Sequence, residues 1–544
     1  MPTTSGISQD NVIDAGPVLI IGAGLAGLFA ALKLSPCPVS LLTASPVGSG
    51  AASAWAQGGI AVALGIDDSP HSHAADTIAA GKGITDSHVA TFITQEAAAR
   101  VKDLIEFGIS FDKQADGRLH LGQEGAHSKR RIISVSGDCT GQALMTTLAY
   151  TARNTPSVRF LEGYVALDLA IEDERVVGVF VCPVHSCKPT TPLLFKAHCV
   201  VMATGGVGNI YQVTTNPKSA NGDGLAMAAR AGAAITNAEF VQFHPTAIDV
   251  GRDPTPLATE ALRGEGAQLV NEAGECFMEH THDDAELASR DLVVRAITRE
   301  LHEGRRVFLD ARRALGNTLP DRFPSFYAQC LSLGFNPLEM AVPVTPAAHY
   351  HMGGIATDSN GRTSLDGLWA CGEVACTGCH GANRLAGNSL LEAVVMAARI
   401  ADDLKGQPMD VTSARQIAPI ALVKTDKPAP PAIMPVVDQL RHLMSEKVGT
   451  VRSATSLGEA LSEIIRLERT VSAGDALANR FTTAKFICVA AFLRQESRGG
   501  HFRQDFPETR TIFERQMTLT LKEVNHIAET AATRADDIRK DRAC

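Results

Sequence analysis

The chain has 544 residues, 45% of them hydrophobic and 20% charged, which is material for large buried cores and about three or four domains. That balance excludes a disordered or fibrous chain, and a net charge of −9 weighs against binding nucleic acid or an anionic membrane. An anionic small molecule therefore needs a local cluster of Arg and His to hold it.

In chain order, residues 1–16 read as a loose polar tail. Val18–Ile21 then reads as a buried strand, Gly22–Gly27 as a turn, Leu28–Leu34 as a helix and Val39–Thr43 as a second strand, a βαβ opening. The uncharged stretch from Val18 to Leu32 is too short to cross a bilayer, and no basic segment leads into an apolar one at the N-terminus. The expectation is a cytoplasmic protein whose twelve cysteines are reduced thiols. Val89–Phe107 has helical apolar spacing, and Val158–Leu161, Ala166–Ile171, Val176–Val181 and Cys199–Ala203 are β-like runs. Cys182 and Cys187 are expected in a surface hairpin loop. Residues 241–351 are richer in His, Arg, Pro and acids and look inserted. Leu368–Cys371 reads as a strand and Ser389–Leu404 as an Ala-rich helix. Four prolines in Lys424–Pro435 predict a linker, and Ser456–Leu467 and Thr483–Ser497 are the clearest helices beyond it.

The strongest local signal is Gly22-Ala23-Gly24-Leu25-Ala26-Gly27 between strand and helix. Gly22 permits a tight turn, Gly24 lets a pyrophosphate approach the backbone, Gly27 lets helix and strand pack, and the helix N-terminus supplies a positive pole. This predicts dinucleotide binding, although Thr43 stands where a plain NAD site has an acid for the ribose. Further small-residue runs follow at Ala51–Gly59, Met202–Gly208 and Asn221–Gly224. Several polar residues are ambiguous alone. His244 (in Gln242-Phe243-His244-Pro245-Thr246) reads as a core or surface histidine or as a ligand. Glu260 and Arg263 (in Thr259–Arg263) share a helical face, as a surface ion pair or a relay. Arg290 reads as a solvated charge, Glu124 as an exposed loop acid and Ser389 as a helix-start residue. Cys376-Thr377-Gly378-Cys379-His380 matches a c-type haem attachment pattern, which the missing export signal argues against, and Cys371, Cys376 and Cys379 lack a fourth ligand, so no metal is expected.

Taken together, the small-residue runs and the motifs around His244, Thr259–Ala267, His349, Gly372-Glu373-Val374 and His380–Arg384 resemble the succinate dehydrogenase/fumarate reductase flavoprotein family from about Val18 to Pro507. Members also lack the ribose acid. The resemblance implies an α/β protein: a Rossmann-like FAD-binding domain (1–240 and 352–420), an inserted α+β capping domain (241–351) and a C-terminal helical bundle (421–544). It implies FAD held by Gly22, Ala23, Gly24, Leu25, Ala26 and Gly27, by Ala52, Ser53, Ala54, Trp55, Ala56, Gln57, Gly58 and Gly59, and by Val165, Asp223, Glu373, Ser389 and Leu390. Respiratory members tether FAD through a His just before the Ala-Gln-Gly-Gly run; Ala51–Trp55 fill that stretch here, which implies non-covalent FAD.

The resemblance also implies a four-carbon dicarboxylate substrate bound by Gln242, His244, Thr259, His349 and Arg384. Arg290 is implied as the proton donor, with Glu260 and Arg263 as its relay, since a guanidinium needs partners to pass a proton on. Glu124 lies where an acid that meets the substrate ammonium is expected, which selects the aspartate-oxidising branch. The implied reaction is L-aspartate to iminosuccinate with O2 or fumarate reoxidising the flavin, the first step of de novo NAD biosynthesis, with quinolinate synthase as functional partner. The rivals are the flavoprotein subunit of a membrane-anchored succinate dehydrogenase or fumarate reductase, and an electron carrier or scaffold that binds FAD without turnover. Glu496–Pro507 resembles part of the C-terminal domain; its charges face the flavin domain or cap a helix.

Overall fold

The computed structural model describes residues 11–184, 192–407, 434–471 and 477–543. The chain opens on a strand–turn–helix because Val18–Ile21 is apolar throughout and fully buried, while small residues keep the following helix close against it. That helix spans Leu25–Leu34, beginning three residues earlier than expected, because Leu25 and Ala26 are buried against the same core and the turn needs only Gly22 to Gly24. Gly22 sits at φ +110°, and a Cβ there would lie 2.2 Å from the Ala203 carbonyl oxygen. A Cβ on Gly27 would lie 2.0 Å from the Gly22 oxygen, so this glycine serves helix–strand packing.

The central sheet has five parallel strands in the order Leu368–Ala370, Cys199–Met202, Val18–Ile21, Val39–Thr43, Val158–Glu162. Its order reverses at Val18–Ile21, which opens a crevice at the carboxyl ends of that strand and of Cys199–Met202. The Asn388–Lys405 and Leu25–Leu34 helices pack together under the sheet. A second sheet joins Tyr164–Glu172, Arg175–Pro183 and Leu193–Lys196, and Val12–Asp14 adds to it in parallel. The N-terminal tail is therefore not loose from Val12 onward: its backbone completes a sheet edge. Cys182 lies within the Arg175–Pro183 strand opposite Val165, not in a loop, whereas Cys187 lies outside the described residues.

The inserted segment folds on its own core, with an antiparallel sheet in the order Val241–Ile248, Val342–His351, Val307–Asp310, Gln268–Asn271 and the Arg290–His302 helix against it. The expected linker lies outside the described residues up to 433; Met434 and Pro435 already open the Met434–Lys447 helix, where a proline in the first turn costs no hydrogen bond. The helices Ala454–Glu468, Leu477–Leu493 and Leu521–Ala543 complete the C-terminal bundle. The predicted Thr483–Ser497 helix is shifted. It ends at Leu493 because Arg494 and Glu496 turn into a buried ion network with Glu239 and Arg498. Arg498 Nη1 donates to the Lys82 carbonyl at 2.6 Å and Gly500 N–H to Ala382 at 2.8 Å, so this stretch docks on the nucleotide-binding domain.

Among the described residues no helix is long and apolar enough to cross a membrane, and no group of three or more His, Cys, Asp or Glu side chains is placed to hold a metal. Cys371, Cys376 and Cys379 are buried, and His380 is bound to Glu392 at 2.9 Å.

Candidate active site

A cleft of about 880 Å³ runs along the carboxyl ends of the parallel strands. Its walls include Gly22, Ala23, Gly24, Leu25 and Ala26, the turn Ala52, Ser53, Ala54, Trp55, Ala56 and Gln57, and Val165, Asp223, Glu373, Ser389 and Leu390. Gly27, Gly58 and Gly59 do not line it. Gly59 packs on the Ile133 carbonyl, and Gly58 faces the Glu124 carboxylate. The wall has features that fit a dinucleotide. Gly24 leaves the helix N-terminus open to the cleft, and Ser53 Oγ accepts from Leu25 N–H at 3.2 Å, joining two predicted segments there. Thr204 Oγ1 and Gln57 Oε1 are buried without a hydrogen-bond partner among the described residues. Burial pushes the Glu373 carboxyl up to about 7; among the described residues the His351 N–H donates to it at 3.0 Å, and sugar hydroxyls would satisfy the rest. Asp223 also lines the cleft but already accepts from Asn479 Nδ2 at 2.9 Å, and burial raises its pKa.

The glycines make a divided prediction. Gly22→Ala meets backbone at a strained φ and is expected to abolish folding. In Gly24→Ala the new Cβ has nothing nearer than Ser53 Oγ at 3.4 Å, so the apoprotein is expected to melt as wild type while FAD binds at least about tenfold more weakly. Thermal melts with FAD titration check both.

His349, Tyr350 and Arg384 close one end of the cleft. Behind them lies a buried cluster holding every other predicted substrate or catalytic residue. Two neighbouring strands carry the histidines, and their rings meet at 5.0 Å, edge to face. His244 Nδ1 accepts from Thr246 N–H at 3.2 Å, which leaves the Nε2 proton to point away as a donor. His349 Nδ1 pairs with Thr215 Oγ1 at 2.8 Å. Burial, then the Arg290 charge, holds both imidazoles well below the usual histidine range, so they act as neutral groups.

Arg290 begins its helix and is 7% exposed rather than solvated. Its Nε donates to Glu260 Oε2 at 2.5 Å and its Nη1 to Gln242 Oε1 at 2.9 Å. Gln242 Nε2 donates in turn to the Arg384 carbonyl at 2.9 Å. Arg263 Nη2 lies 3.2 Å from Glu260 Oε1, so these two form a buried pair that continues to Arg290. Burial works against ionising Glu260, but Arg290 and Arg263 outweigh it and hold its carboxyl below the ordinary value. Thr259 is buried one residue before, its hydroxyl accepting from Ala261 N–H at 3.4 Å.

Glu124 is 3% exposed, not a surface acid. Its Oε2 lies 4.0 Å from Arg290 Nη2, and its Oε1 has no hydrogen-bond partner among the described residues. Burial, then the Glu260 charge, pushes its carboxyl up to about 7. Two glycines bring this loop so close: a Cβ on Gly125 would sit 2.5 Å from Glu260 Oε1, and one on Gly264 would sit 2.1 Å from the Gln123 carbonyl. Arg384 is buried, and among the described residues no carboxylate pairs with it; burial, then Arg290, lowers it to about 10. Its Nη1 reaches Ser389 Oγ at 3.3 Å.

The cluster can thus hold two separated anionic groups beside a cleft fit for a dinucleotide, with one spare acid for a cation. Sequence reasoning missed Thr215 and Asn216, which fix His349 from 134 and 133 positions away and carry no local signal. It also missed Tyr350 and Asn383, although both lie inside motifs that it singled out.

The fold and cleft define an FAD-binding flavoprotein. The FAD binding domain family matches residues 17–390 and the fumarate reductase flavoprotein C-terminal family residues 472–538. Among solved structures, E. coli quinol fumarate reductase FrdA superposes with a TM-score of 0.81 at 26% identity over 94% of both chains. Mycobacterium smegmatis Sdh1 superposes at 0.77, with 30% identity over 93% of this chain and 94% of that one. The L-aspartate oxidase of Mesorhizobium japonicum is 47% identical over 90% of this chain and 92% of its own, and that of Xylella fastidiosa (strain Temecula1) is 44% identical over 94% and 96%. The chain belongs to the L-aspartate oxidase family.

Proposed function

We propose that this protein oxidises L-aspartate to iminosuccinate with non-covalently bound FAD. The observation that carries this is Arg384, a buried arginine without a counter-carboxylate, placed beside Arg290, two neutral histidines and an acid with a free oxygen. Two carboxylates complete the charge balance of that cluster, and Glu124 selects a substrate that also carries an ammonium group. FAD, when bound, supplies the two-electron acceptor, and O2 or fumarate then takes the electrons. The chain's own part is to hold the substrate. Arg384 takes one carboxylate through its N–H groups, while His244, His349 and the Thr259 hydroxyl donate to the carboxylates. In fumarate reduction Arg290 delivers the proton to the substrate carbon, with Glu260 and Arg263 resetting it. Gln242 fixes Arg290 relative to Arg384.

The domain limits that go with this reading are 1–240 and 352–420 for FAD, 241–351 for the cap and 421–544 for the bundle. The reaction would be the first step of de novo NAD biosynthesis in the cytoplasm, with quinolinate synthase consuming the unstable imine.

The test is anaerobic bleaching of the flavin. L-Aspartate is expected to bleach it, D-aspartate not at all, and succinate at least about 100-fold more slowly, the value of one buried charge pair. Equal bleaching by succinate overturns the reading, as does flavin fluorescence that stays on the protein in a denaturing gel.

A further inference from the structure

A buried guanidinium without an acid is costly, yet pairing Arg384 with an acid would occupy the N–H groups that a substrate carboxylate needs. The structure resolves this through an aromatic face. Arg384 Cζ lies over the Tyr350 ring, 4.6 Å from its centroid. A ring face attracts a cation without accepting its hydrogen bonds in the guanidinium plane.

The ring is itself firmly set. Tyr350 OH donates to Glu392 Oε2 at 3.3 Å, and His380 Nε2 lies 2.9 Å from the same oxygen. Thr377 Oγ1 donates to Glu392 Oε1 at 2.5 Å. Glu392 stands one turn into the Asn388–Lys405 helix, whose first turn lines the cleft through Ser389 and Leu390. All four of Tyr350, Thr377, His380 and Glu392 are buried. Burial opposes ionisation of Glu392, but His380 and the donated hydrogen bonds hold it below the usual carboxylate range, so Tyr350 donates to an anion and its ring gains electron density.

We infer that Tyr350, held by Glu392 and His380, is a positioning residue for dicarboxylate recognition: its ring face supports the Arg384 cation in place of a counter-carboxylate and keeps the guanidinium N–H groups unclaimed by any acid. This rests on the dicarboxylate reading above. Tyr350 lines the cleft beside His349, and its part in recognition is exercised through Arg384.

The test measures binding, not turnover. Succinate and its monocarboxylate counterpart butyrate are titrated into the FAD-loaded protein and followed by the visible spectrum of the flavin, with FAD retention and Tm recorded in parallel. In wild type the second carboxylate makes succinate bind tighter. In Tyr350→Leu the butyrate-to-succinate ratio of Kd values is expected to fall about 30-fold, the worth of a desolvated cation–π contact, with FAD retained. In Tyr350→Phe, which keeps the face, the ratio is expected to stay within about threefold of wild type. A fall in the phenylalanine variant as large as 30-fold overturns the inference, even where the leucine protein fails to fold. An unchanged ratio in Tyr350→Leu overturns the inference alone. No succinate binding to wild type overturns the dicarboxylate reading and the inference with it.

Discussion

Arg290→Leu is expected to lower fumarate reduction by at least about 10³-fold while FAD remains bound, as the loss of a positioned proton donor requires. The fold should survive, because Glu260 keeps Arg263 at 3.2 Å and is not left as an unpaired buried charge. Arg290 also lies behind the cleft wall rather than on it, so its removal leaves the cofactor surface intact. Stopped-flow mixing of the pre-reduced enzyme with fumarate, with the flavin content measured in the same sample, checks the prediction. Retention of rate within tenfold would remove Arg290 from the proton path and leave it a bridge between Glu260 and Gln242.

Glu124→Gln is expected to cost about 10²- to 10³-fold in kcat/KM for L-aspartate, the worth of one desolvated charge pair, while fumarate reduction changes by no more than about threefold. Equal losses in both directions would refute the ammonium role. The same residue predicts a pH dependence. Burial, then Glu260, raises its carboxyl from the ordinary 4.5 to about 7, so in the free enzyme it is neutral below that pH and ionised above it. Only the ionised form meets an ammonium group, so kcat/KM for aspartate should rise as pH passes through about 7, and that limb should vanish in the glutamine variant. The sign for stability is the opposite. The folded carboxyl binds its proton more tightly than the unfolded one, so this group's contribution is full below about 4.5 and is lost as pH rises to about 7.

The site's parts differ in how they could be recognised. Gly22 to Leu25 signalled a phosphate-binding turn because strand, turn and helix are all local, and the nucleotide needs backbone there rather than side chains. His244 and Arg290 read alone as bland residues, and only the resemblance singled them out. Their proximity arises from sheet register and a helix start that no window of the sequence spans. The ion network of Arg494 was also illegible, since its partner Glu239 stands 255 positions earlier and the run of helical residues gave no cause to stop at Leu493.

By itself, then, the sequence determined an α/β chain with a dinucleotide turn at Gly22–Gly24, because hydrophobic period and glycine conformation act over a few residues. What only the tertiary structure decided was the state of the charges. Glu124, Glu260, Arg263, Arg290 and Arg384 are ordinary surface types until folding buries them together. Burial then removes the water that would have screened them, so Glu124 becomes a near-neutral acid, the histidines stay neutral, and Arg384 rests on Tyr350 with its N–H groups unclaimed by any acid.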